Sequence, residues 1–492
     1  MEMTQDDAVR ILQLIDESPM GRTSVHVGDF RLEVVKSDSP ARAAPGKTIS
    51  RVLVANRGEI AVRVIRACKS LGLESVAAVS EADKESLAAK LADRAVCIGP
   101  ARPAESYLNV GAIVAAARGS GANAVHPGYG FLAEQPRLAQ ACSENGMVFI
   151  GPSAGMIAQM GNKIVARELA ASSGLPVVPG SEKVGSVEEA LHAAETIGFP
   201  LLLKAAAGGG GRGMRIVNQL SELQGAFQAA SGEARAAFGD GTLYLERYIR
   251  NARHIEVQIL ADHFGNVIHL GVRDCSLQRR FQKIVEEAPA PHLDALREKI
   301  WQAATTLARE TGYRNAGTIE FIVDRDENRF YFLEMNTRIQ VEHPVTEMIT
   351  GVDIVREQIR IAAGERLSVS QEEVRFEGHA IECRINAESP GQGFRPSPGR
   401  IRVWKEPGGN GVRVDTHCYP GYLVPPYYDS MIAKVIAHAG TRSEALEKMD
   451  AALAGFAVEG VDTTIAFLRS LISHPDVRQG RTHVRWIENP TP

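Results

Sequence analysis

The stretch from residue 334 to residue 343 carries a polar side chain at every second position, directly after the aromatic run 330–333. The polar residues are Glu334, Asn336, Arg338, Gln340 and Glu342. The aromatic run is typical of a buried strand, in which alternate side chains share a face. If the extended conformation continues, all five polar groups face the same side. Burying them unpaired costs several kcal/mol per charge, which favours a functional site; a solvated strand face is the alternative.

A second strand-like run, 317–324, is joined to the aromatic run by the polar turn 324–328. The two runs predict a β-hairpin in which Glu320 and Glu334 face each other with Asn336 close by. Carboxylate and amide oxygens suit Mg²⁺ or Mn²⁺ ions that also contact nucleotide phosphates. We therefore predict a divalent-metal site formed by these three residues. The alternative is an edge hairpin with unrelated surface acids.

A glycine run indicates a phosphate-binding loop. Residues 199–204 predict a short apolar strand that ends in Lys204, and the glycines 208–211 follow soon after it. Glycine lets backbone N–H groups approach phosphate oxygens closely. The run lacks the Gly-Lys-Ser/Thr of a P-loop and does not open a helix as a dinucleotide fingerprint does. Because 212–217 predicts another strand, we interpret the segment as a hairpin lid over a nucleotide; a flexible loop is the alternative.

Motifs along most of the chain, from about residue 49 to residue 489, resemble the biotin carboxylase branch of the ATP-grasp superfamily. They are residues 55–61, 126–132, the glycine run, 273–280, 286–291, 334–343, 382–388 and 425–431. The resemblance implies an α/β fold with three domains. These are a Rossmann-like N-terminal domain (48–160), an ATP-grasp domain (161–375, with a lid at about 175–248) and a C-terminal biotin carboxylase domain (376–492).

Local patterns support the first domain. The runs 51–55 and 75–79 predict strands, and 60–71 predicts the helix between them. The glycines there do not complete a dinucleotide fingerprint, so NAD is not predicted.

Composition narrows the possible partners and the compartment. The chain has 492 residues, which is too long for one core and predicts several domains. Its net charge is −4 and no apolar run approaches the length of about 20 residues that spans a bilayer, so neither nucleic acid nor a membrane is expected as a partner. The N-terminus lacks a signal-peptide pattern. Six scattered cysteines without C-x-x-C spacing predict reduced thiols in a cytoplasmic protein.

Residues 1–47 form a separate extension and linker. Apolar spacing predicts a helix over 6–17, and alternation predicts a strand over 30–35, before a segment rich in Ala, Pro and Ser. The segments 15–18 and 27–30 resemble the N-terminal part of a biotin carboxyl carrier protein. This short resemblance implies a docking element for a partner protein; a disordered tail is the alternative.

The longer resemblance also implies which residues bind ATP. Lys163 and Lys204 reach the phosphates, where their charges offset those of phosphoryl transfer. The further nucleotide contacts that the resemblance implies are Gly210, Gly211, Glu246, Arg247, Tyr248, Ile249, His254, Gln278 and Phe281. Phe281 stands where relatives have His or Asn; it cannot make their hydrogen bond and is expected to pack on the ribose or adenine. Ala207 stands where relatives often have glycine, which implies a stiffer lid loop.

For the chemistry, the resemblance implies a bicarbonate site at Lys283, Arg338 and the backbone N–H of Val341. Glu342 would be the base that takes the bicarbonate proton, so that bicarbonate attacks the γ-phosphate and gives carboxyphosphate. Two divalent ions, Mg²⁺ or Mn²⁺, would bridge the phosphates. Arg384 would stabilise the oxygen of the biotin enolate. A salt bridge from Arg384 to Glu382 or Glu388 is the structural alternative.

The chain has no Ala-Met-Lys-Met biotinylation motif and no evident carboxyltransferase region. Biotin is therefore expected on a separate carrier protein, with carboxyltransferase subunits as further partners and a homodimer implied by the resemblance. The expected role is the first half-reaction of acetyl-CoA or another acyl-CoA carboxylase, as in fatty acid biosynthesis. A urea-like or ketone carboxylase, a biotin-independent ATP-grasp ligase and a non-catalytic paralogue are the alternatives.

Overall fold

A computed structural model describes residues 22–27, 30–35, 48–206 and 214–488. The chain divides into two compact units, residues 1–46 and residues 47–492. In the first, β1 (Arg22–Val27) pairs antiparallel with β2 (Phe30–Val35), so the predicted strand 30–35 is confirmed. The predicted helix 6–17 lies outside the described residues.

The second unit begins with a five-stranded parallel sheet of order β5-β4-β3-β6-β7 and its connecting helices. Its elements are β3 (Arg51–Val54), α1 (Gly58–Ser70), β4 (Glu74–Val79), α2 (Leu87–Leu91), β5 (Arg94–Cys97), α3 (Val110–Ser120), β6 (Ala124–His126), α4 (Pro136–Glu144), β7 (Val148–Phe149), α5 (Ala154–Gly161) and α6 (Lys163–Ser172). The predicted strand–helix–strand order is confirmed. Asn56 connects the motifs 55–61 and 126–132, because its side chain donates hydrogen bonds to the carbonyls of Pro127 and Tyr129. A Cβ at Gly128 (φ +61°) would lie 2.9 Å from that amide nitrogen.

The predicted lid is a small sheet of order β10-β8-β9 with two helices. Its elements are α7 (Val187–Ile197), β8 (Leu201–Ala205), β9 (Arg215–Val217), α8 (Leu220–Phe238) and β10 (Leu243–Arg247). β8 and β9 are antiparallel, so the hairpin predicted around the glycine run is confirmed. Ala207, Gly210 and Gly211 lie in the gap 207–213, outside the described residues.

An eight-stranded antiparallel sheet of order β15-β14-β11-β12-β13-β16-β23-β21 follows. Its first part comprises β11 (Ala252–Ala261), β12 (Val267–Arg279), β13 (Gln282–Ala288), α9 (Arg297–Glu310), β14 (Asn315–Asp324), β15 (Arg329–Asn336), α10 (His343–Thr350) and α11 (Ile354–Ala362). Aliphatic and aromatic side chains of β11, β14 and β15 pack against α9 in one apolar core. The opposite face of these strands carries the polar side chains of the cleft described below.

The rest of the chain extends this sheet and covers it. Its elements are β16 (His379–Asn386), β17 (Glu388–Ser389), β18 (Arg395–Pro396), β19 (Gly399–Arg400), β20 (Val403–Lys405), β21 (Val412–Thr416), β22 (Leu423–Val424), β23 (Met431–Ala439), α12 (Arg442–Gly455), β24 (Ala457–Glu459), α13 (Ile465–Ser473) and α14 (Pro475–Arg478). The helices α12 and α13 pack on β16 and β23 through a second apolar core. Among the described residues, no helix combines the length and hydropathy needed to cross a bilayer.

Candidate active site

The predicted hairpin is confirmed as β14 and β15, and Glu320 pairs directly with Glu334 across it. The extended conformation ends at Asn336, however, and helix α10 starts at His343. The expectation of one continuous strand face is therefore wrong beyond Asn336. All five alternate polar residues nevertheless line one cavity of about 860 Å³, because the chain bends back over the sheet before the helix starts.

Lys283, which lines the cavity, is surrounded by three carboxylates. Lys283 Nζ lies 2.6 Å from Glu256, 3.0 Å from Glu320 and 2.5 Å from Glu342. Glu342 is completely buried at the N-terminus of α10, where the helix dipole favours a negative charge. Burial disfavours its ionised form, but Lys283, Arg384 and Arg273 outweigh burial and hold the pKa of Glu342 well below its usual value. The carboxylate is therefore ionised, and it lines the cavity.

Arg384 connects this cluster to β13. Its Nε donates to Glu286 Oε1 at 2.6 Å, and its Nη2 lies 2.9 Å from Glu342 Oε2. The alternative of a salt bridge to Glu382 or Glu388 is thus not what the structure has. Arg384 lines the cavity, so its guanidinium is fixed by two carboxylates at the position from which it could meet a ligand oxygen.

Arg338 is the second fixed guanidinium. Its Nε donates to Glu134 at 2.8 Å, and its two Nη atoms donate to Gln340 Oε1 at 2.8 Å and Asn336 Oδ1 at 3.0 Å. Val341 lines the same wall. Lys283, Arg338 and Val341, predicted to hold bicarbonate, are therefore brought to one cavity.

The carboxylate pair at the hairpin fits a divalent cation. Burial, and then the charge of the facing Glu320, raise the pKa of Glu334. Asn336 lies two residues further along β15, where its Oδ1, the atom that could bind a cation, accepts a hydrogen bond from Arg338 at 3.0 Å. Donor atoms of His254, Glu256 and Glu320 also lie within 4.8 Å of one another, as metal ligands do. The oxygen-rich donor set suits Mg²⁺ or Mn²⁺.

Of the predicted phosphate contacts, the two lysines line the cavity. Lys163 Nζ lies 3.9 Å from Glu334, and Lys204 Nζ lies 2.5 Å from Glu246. Glu246 is also paired at 2.7 Å with Arg167, a residue that the sequence analysis did not single out. Burial works against a charged lysine, but Glu246 outweighs it and raises the pKa of Lys204. Lys204 is therefore cationic, and Lys163 lies beside Glu334 of the carboxylate pair.

The remaining predicted nucleotide residues lie at the edge of the cavity or behind its wall. His254 Nε2 lies 3.0 Å from Glu320, and its Nδ1 is 2.8 Å from Gln278 Nε2. His254 thus contacts Glu320 directly, and Gln278 contacts His254. Arg247 pairs with Glu327, and Tyr248 and Ile249 follow at the end of β10. None of Arg247, Tyr248 and Ile249 lines the cavity.

Phe281 lies at the tip of a two-residue β-turn at the cavity. Arg279 pairs with Gln282, and the two residues between them have positive φ angles, 50° at Arg280 and 65° at Phe281. Type I′ turns require this conformation, and Asn and Gly adopt it far more readily than Phe. Phe281 is 59% exposed, so packing does not compensate. The aromatic ring is therefore held in a strained backbone position beside the site.

Replacing Phe281 by asparagine is expected to raise the free energy of unfolding by about 1 kcal/mol, because asparagine relieves left-handed strain. Chemical denaturation measures the change. Leu108→Asn is the control, since Leu108 is a 44% exposed apolar residue of a turn whose φ is not positive. Equal effects of the two substitutions would contradict the strain argument.

Besides Arg167, four further charged residues of the site were missed. Glu256 and Arg273 are opposite each other on β11 and β12, and Glu256 is also opposite Glu320. Glu286 and Glu134 position the two arginines described above. The alternation of His254 and Glu256 on one strand was an available signal for Glu256. For Glu134, no local pattern predicts a contact with a residue more than 200 positions away.

Known families match most of the second unit. Three family profiles match: Biotin carboxylase, N-terminal domain, at residues 48–157; Carbamoyl-phosphate synthase L chain, ATP binding domain, at 162–370; and Biotin carboxylase C-terminal domain, at 382–489. Biotin carboxylase 1 of Bacillus subtilis is 54% identical over 89% of this chain and 98% of its own length. A pyruvate carboxylase subunit of Methanothermobacter thermautotrophicus is 50% identical over 89% of both chains.

Solved structures agree with this match. A Campylobacter jejuni biotin carboxylase in a β,γ-ATP complex superposes with a TM-score of 0.87 at 47% identity, covering 90% of this chain and 99% of its own. The biotin carboxylase domain dimer of Hydrogenobacter thermophilus 2-oxoglutarate carboxylase, in complex with MgADP, ADP and bicarbonate, superposes with a TM-score of 0.86 at 51% identity. The match covers 90% of this chain and 98% of that chain. The α/β fold class predicted from the sequence is confirmed. The chain belongs to the biotin carboxylase family of ATP-grasp enzymes.

Proposed function

We propose that this chain carboxylates biotin on a separate carrier protein, using ATP and bicarbonate, as the first half-reaction of a multi-subunit carboxylase. The observation that carries the proposal is Glu342, a buried and ionised carboxylate between Lys283 and Arg384. A base in this position serves an anionic substrate that must lose a proton while cations hold it. The structures of relatives with bound ADP and bicarbonate support the same pair of substrates.

In the first step, Lys283, Arg338 and the N–H of Val341 hold bicarbonate, with the guanidinium offering a planar pair of donors. Glu342 takes the bicarbonate proton, and the freed oxygen attacks the γ-phosphorus of ATP, which gives carboxyphosphate and ADP. Lys163 and Lys204 offset the phosphate charge. Bound at Glu320, Glu334 and Asn336, Mg²⁺ or Mn²⁺ would supply electrostatic stabilisation of the phosphates.

In the second step, carboxyphosphate separates into CO₂ and phosphate. The phosphate takes the N1 proton of biotin, and N1 attacks CO₂ to form the N–C bond. Negative charge develops on the ureido oxygen during this attack. Arg384 lines the cavity beside Glu342 and is the group that stabilises that charge.

The remaining nucleotide contacts are proposed from family resemblance. Gly210 and Gly211 cradle the phosphates, the segment Glu246–Ile249 reads the adenine, and Phe281 packs on the ribose or adenine. His254 and Gln278 act through Glu320, since they contact that carboxylate directly or through each other.

The partners follow from the same proposal. A biotinylated carrier protein delivers biotin, carboxyltransferase subunits use the product, and the chain forms a homodimer. We propose an acyl-CoA, with acetyl-CoA first, as the final acceptor. Relatives at about 50% identity carry the names of pyruvate and 2-oxoglutarate carboxylases, so a ketone or urea-like acceptor is the alternative. Purifying the native complex and identifying its biotinylated protein and its carboxyltransferase decides between them.

ATP cleavage that requires bicarbonate and increases with free biotin tests the half-reaction. A biotin-independent ligase would ignore both additions, and a non-catalytic paralogue would cleave no ATP. Either outcome overturns the proposal.

Replacing Arg384 by methionine is expected to separate the two steps. Biotin carboxylation should fall by about 10²- to 10³-fold, the usual effect of losing one donor to a developing oxyanion. Bicarbonate-dependent ATP cleavage without biotin should fall much less, because Lys283 still holds Glu342. Equal losses in both assays would mean that Arg384 acts only by positioning Glu342.

A further inference from the structure

Behind Arg384 lies a carboxyl group that the proposed reaction does not use. Glu382 lies on β16 and is completely buried, opposite Glu286 on β13 and Ile436 on β23. Neither of its carboxyl oxygens has a hydrogen-bond partner among the described residues. An ionised carboxylate in that position would cost several kcal/mol of desolvation without compensation. The geometry therefore favours the protonated form.

The acceptor for its proton is directly across the strand pair. Residues opposite each other in an antiparallel pair share a face, with Cβ atoms roughly 5 Å apart. Glu286 Oε1 is occupied by Arg384, whereas Glu286 Oε2 is buried and has no partner in the described structure. A neutral carboxylic acid has one O–H to donate. One hydrogen bond from the O–H of Glu382 to Glu286 Oε2 would give that donor and that acceptor a partner each.

The surrounding charges support this distribution of protons. The nearest cation on β23 is Lys434, but its Nζ donates to the Val341 carbonyl at 2.7 Å and lies 3.2 Å from Glu59 and 4.0 Å from Asp415. It is therefore already neutralised by carboxylates other than Glu382.

The pKa directions agree with the geometry. Burial raises the pKa of Glu382 well above its usual value; Lys434 and Arg384 oppose this, while the charges of Glu286 and Glu342 add to it. Burial also raises the pKa of Glu286, to about 7, against the effect of Arg384. The hydrogen bonds from Arg384 favour a charged Glu286, so one proton shared by the pair resides on Glu382.

We propose that Glu382 is a positioning residue: a neutral carboxylic acid that hydrogen-bonds to Glu286 and thereby holds the carboxylate that fixes Arg384. The inference rests on the role of Arg384 proposed above. When Glu342 accepts the bicarbonate proton, Arg384 loses the charge of one of its two carboxylate partners. Glu286 is then the anion that keeps the guanidinium in place, and Glu382 fixes its orientation.

Two substitutions test this role. In Glu382→Gln the side chain stays neutral and keeps a donor, so the variant should fold and carboxylate biotin much as the wild type does. In Glu382→Leu the donor is lost, and kcat/KM for biotin should fall on the order of 10- to 100-fold through misplacement of Arg384. Bicarbonate-dependent ATP cleavage without biotin should change little in either variant. A Glu382→Gln variant that does not fold, or a Leu variant with unchanged biotin kinetics, would overturn the inference.

The pH dependence of the melting temperature tests whether Glu382 is protonated in the folded protein. A carboxyl whose pKa is raised on folding stabilises the protein fully below its unfolded pKa of about 4.3, and this stabilisation is lost as pH rises toward the folded value. Glu382→Gln has no proton to lose and so does not lose this stabilisation. The difference in melting temperature, variant minus wild type, should therefore increase as pH rises from acid to alkaline. If Glu382 were instead an anion paired with Lys434, the variant would be less stable than the wild type at neutral pH. That result would reject the neutral form.

Infrared spectroscopy supplies an independent measurement. The wild-type protein at neutral pH should have a protonated-carboxyl carbonyl band that is absent from Glu382→Gln, and a missing difference band would count against the inference. This measurement needs no turnover. Failure of wild-type, biotin-stimulated ATP cleavage would therefore reject the proposed function without affecting the assignment of the proton.

Discussion

Glutamine at position 342 is expected to lower bicarbonate-dependent ATP cleavage by about 10²- to 10⁴-fold, the range for loss of a general base. The reason is that the structure places one ionised carboxylate between the cations proposed to hold bicarbonate. An amide has nearly the same shape but cannot take the proton. The loss should appear in kcat, since Lys283 and Arg338 remain to bind the anion. Measuring ATP cleavage at saturating bicarbonate gives the change.

The fold should tolerate this substitution. Lys283 keeps Glu256 and Glu320 as partners, and Arg384 keeps Glu286. The variant should melt at a lower temperature, because an ionised carboxylate with a lowered pKa stabilises the fold. The rise in melting temperature on adding MgADP should nevertheless match that of the wild type.

Glu388→Gln is the matched control. Glu388 is another carboxylate of the cavity wall, but it contacts Asn386 at 3.1 Å and Ser430 at 2.5 Å rather than the cations. This variant should keep its ATP cleavage. Retention of more than about a tenth of the activity by Glu342→Gln would contradict a general base worth at least 10²-fold.

The hairpin of β14 and β15 could be predicted from sequence because its information is local: a short polar turn joins two apolar runs. Unbroken alternation from that turn would put Leu333 opposite Glu320, and a register shift next to Phe332 brings Glu334 there instead. Alternation also fails just beyond Asn336. There the chain leaves the sheet, and Arg338 reaches the cavity from a bend that Glu134 holds in place. No periodicity in the sequence reports such a bend.

The partners of the charged residues were the least predictable part of the site. Glu256, Glu286 and Glu342 lie on three separate elements, yet Lys283 and Arg384 bring them into one network. Which carboxylate an arginine meets depends on the order of strands in the sheet. In this fold β16 lies beside β13, about 100 residues earlier in the chain, so Arg384 contacts Glu286 instead of a carboxylate close to it in sequence.

Glutamine at position 334 is expected to raise the Mg²⁺ or Mn²⁺ concentration needed for half-maximal ATP cleavage by at least about 10-fold, since even an outer-shell partner of a metal is often worth that much. Glu334 suits the test because its carboxylate is reachable from the cavity and its one ion pair among the described residues, with Lys163, is long at 3.9 Å. Removing its charge should therefore weaken the metal site while it leaves the fold intact. Titrating the metal at fixed ATP measures the change.

Glu327→Gln is the control for the metal titration. Glu327 belongs to the same hairpin, but it pairs with Arg247 and Arg329 at the turn and does not line the cavity. Its substitution should leave the metal requirement unchanged. Because Glu334 faces Glu320, relief of their repulsion would by itself stabilise the metal-free hairpin of Glu334→Gln. If Glu334→Gln is more stable to heat without metal, yet needs more metal for activity, it has lost a metal ligand. If it gains stability but keeps the wild-type metal requirement, the cation is held elsewhere.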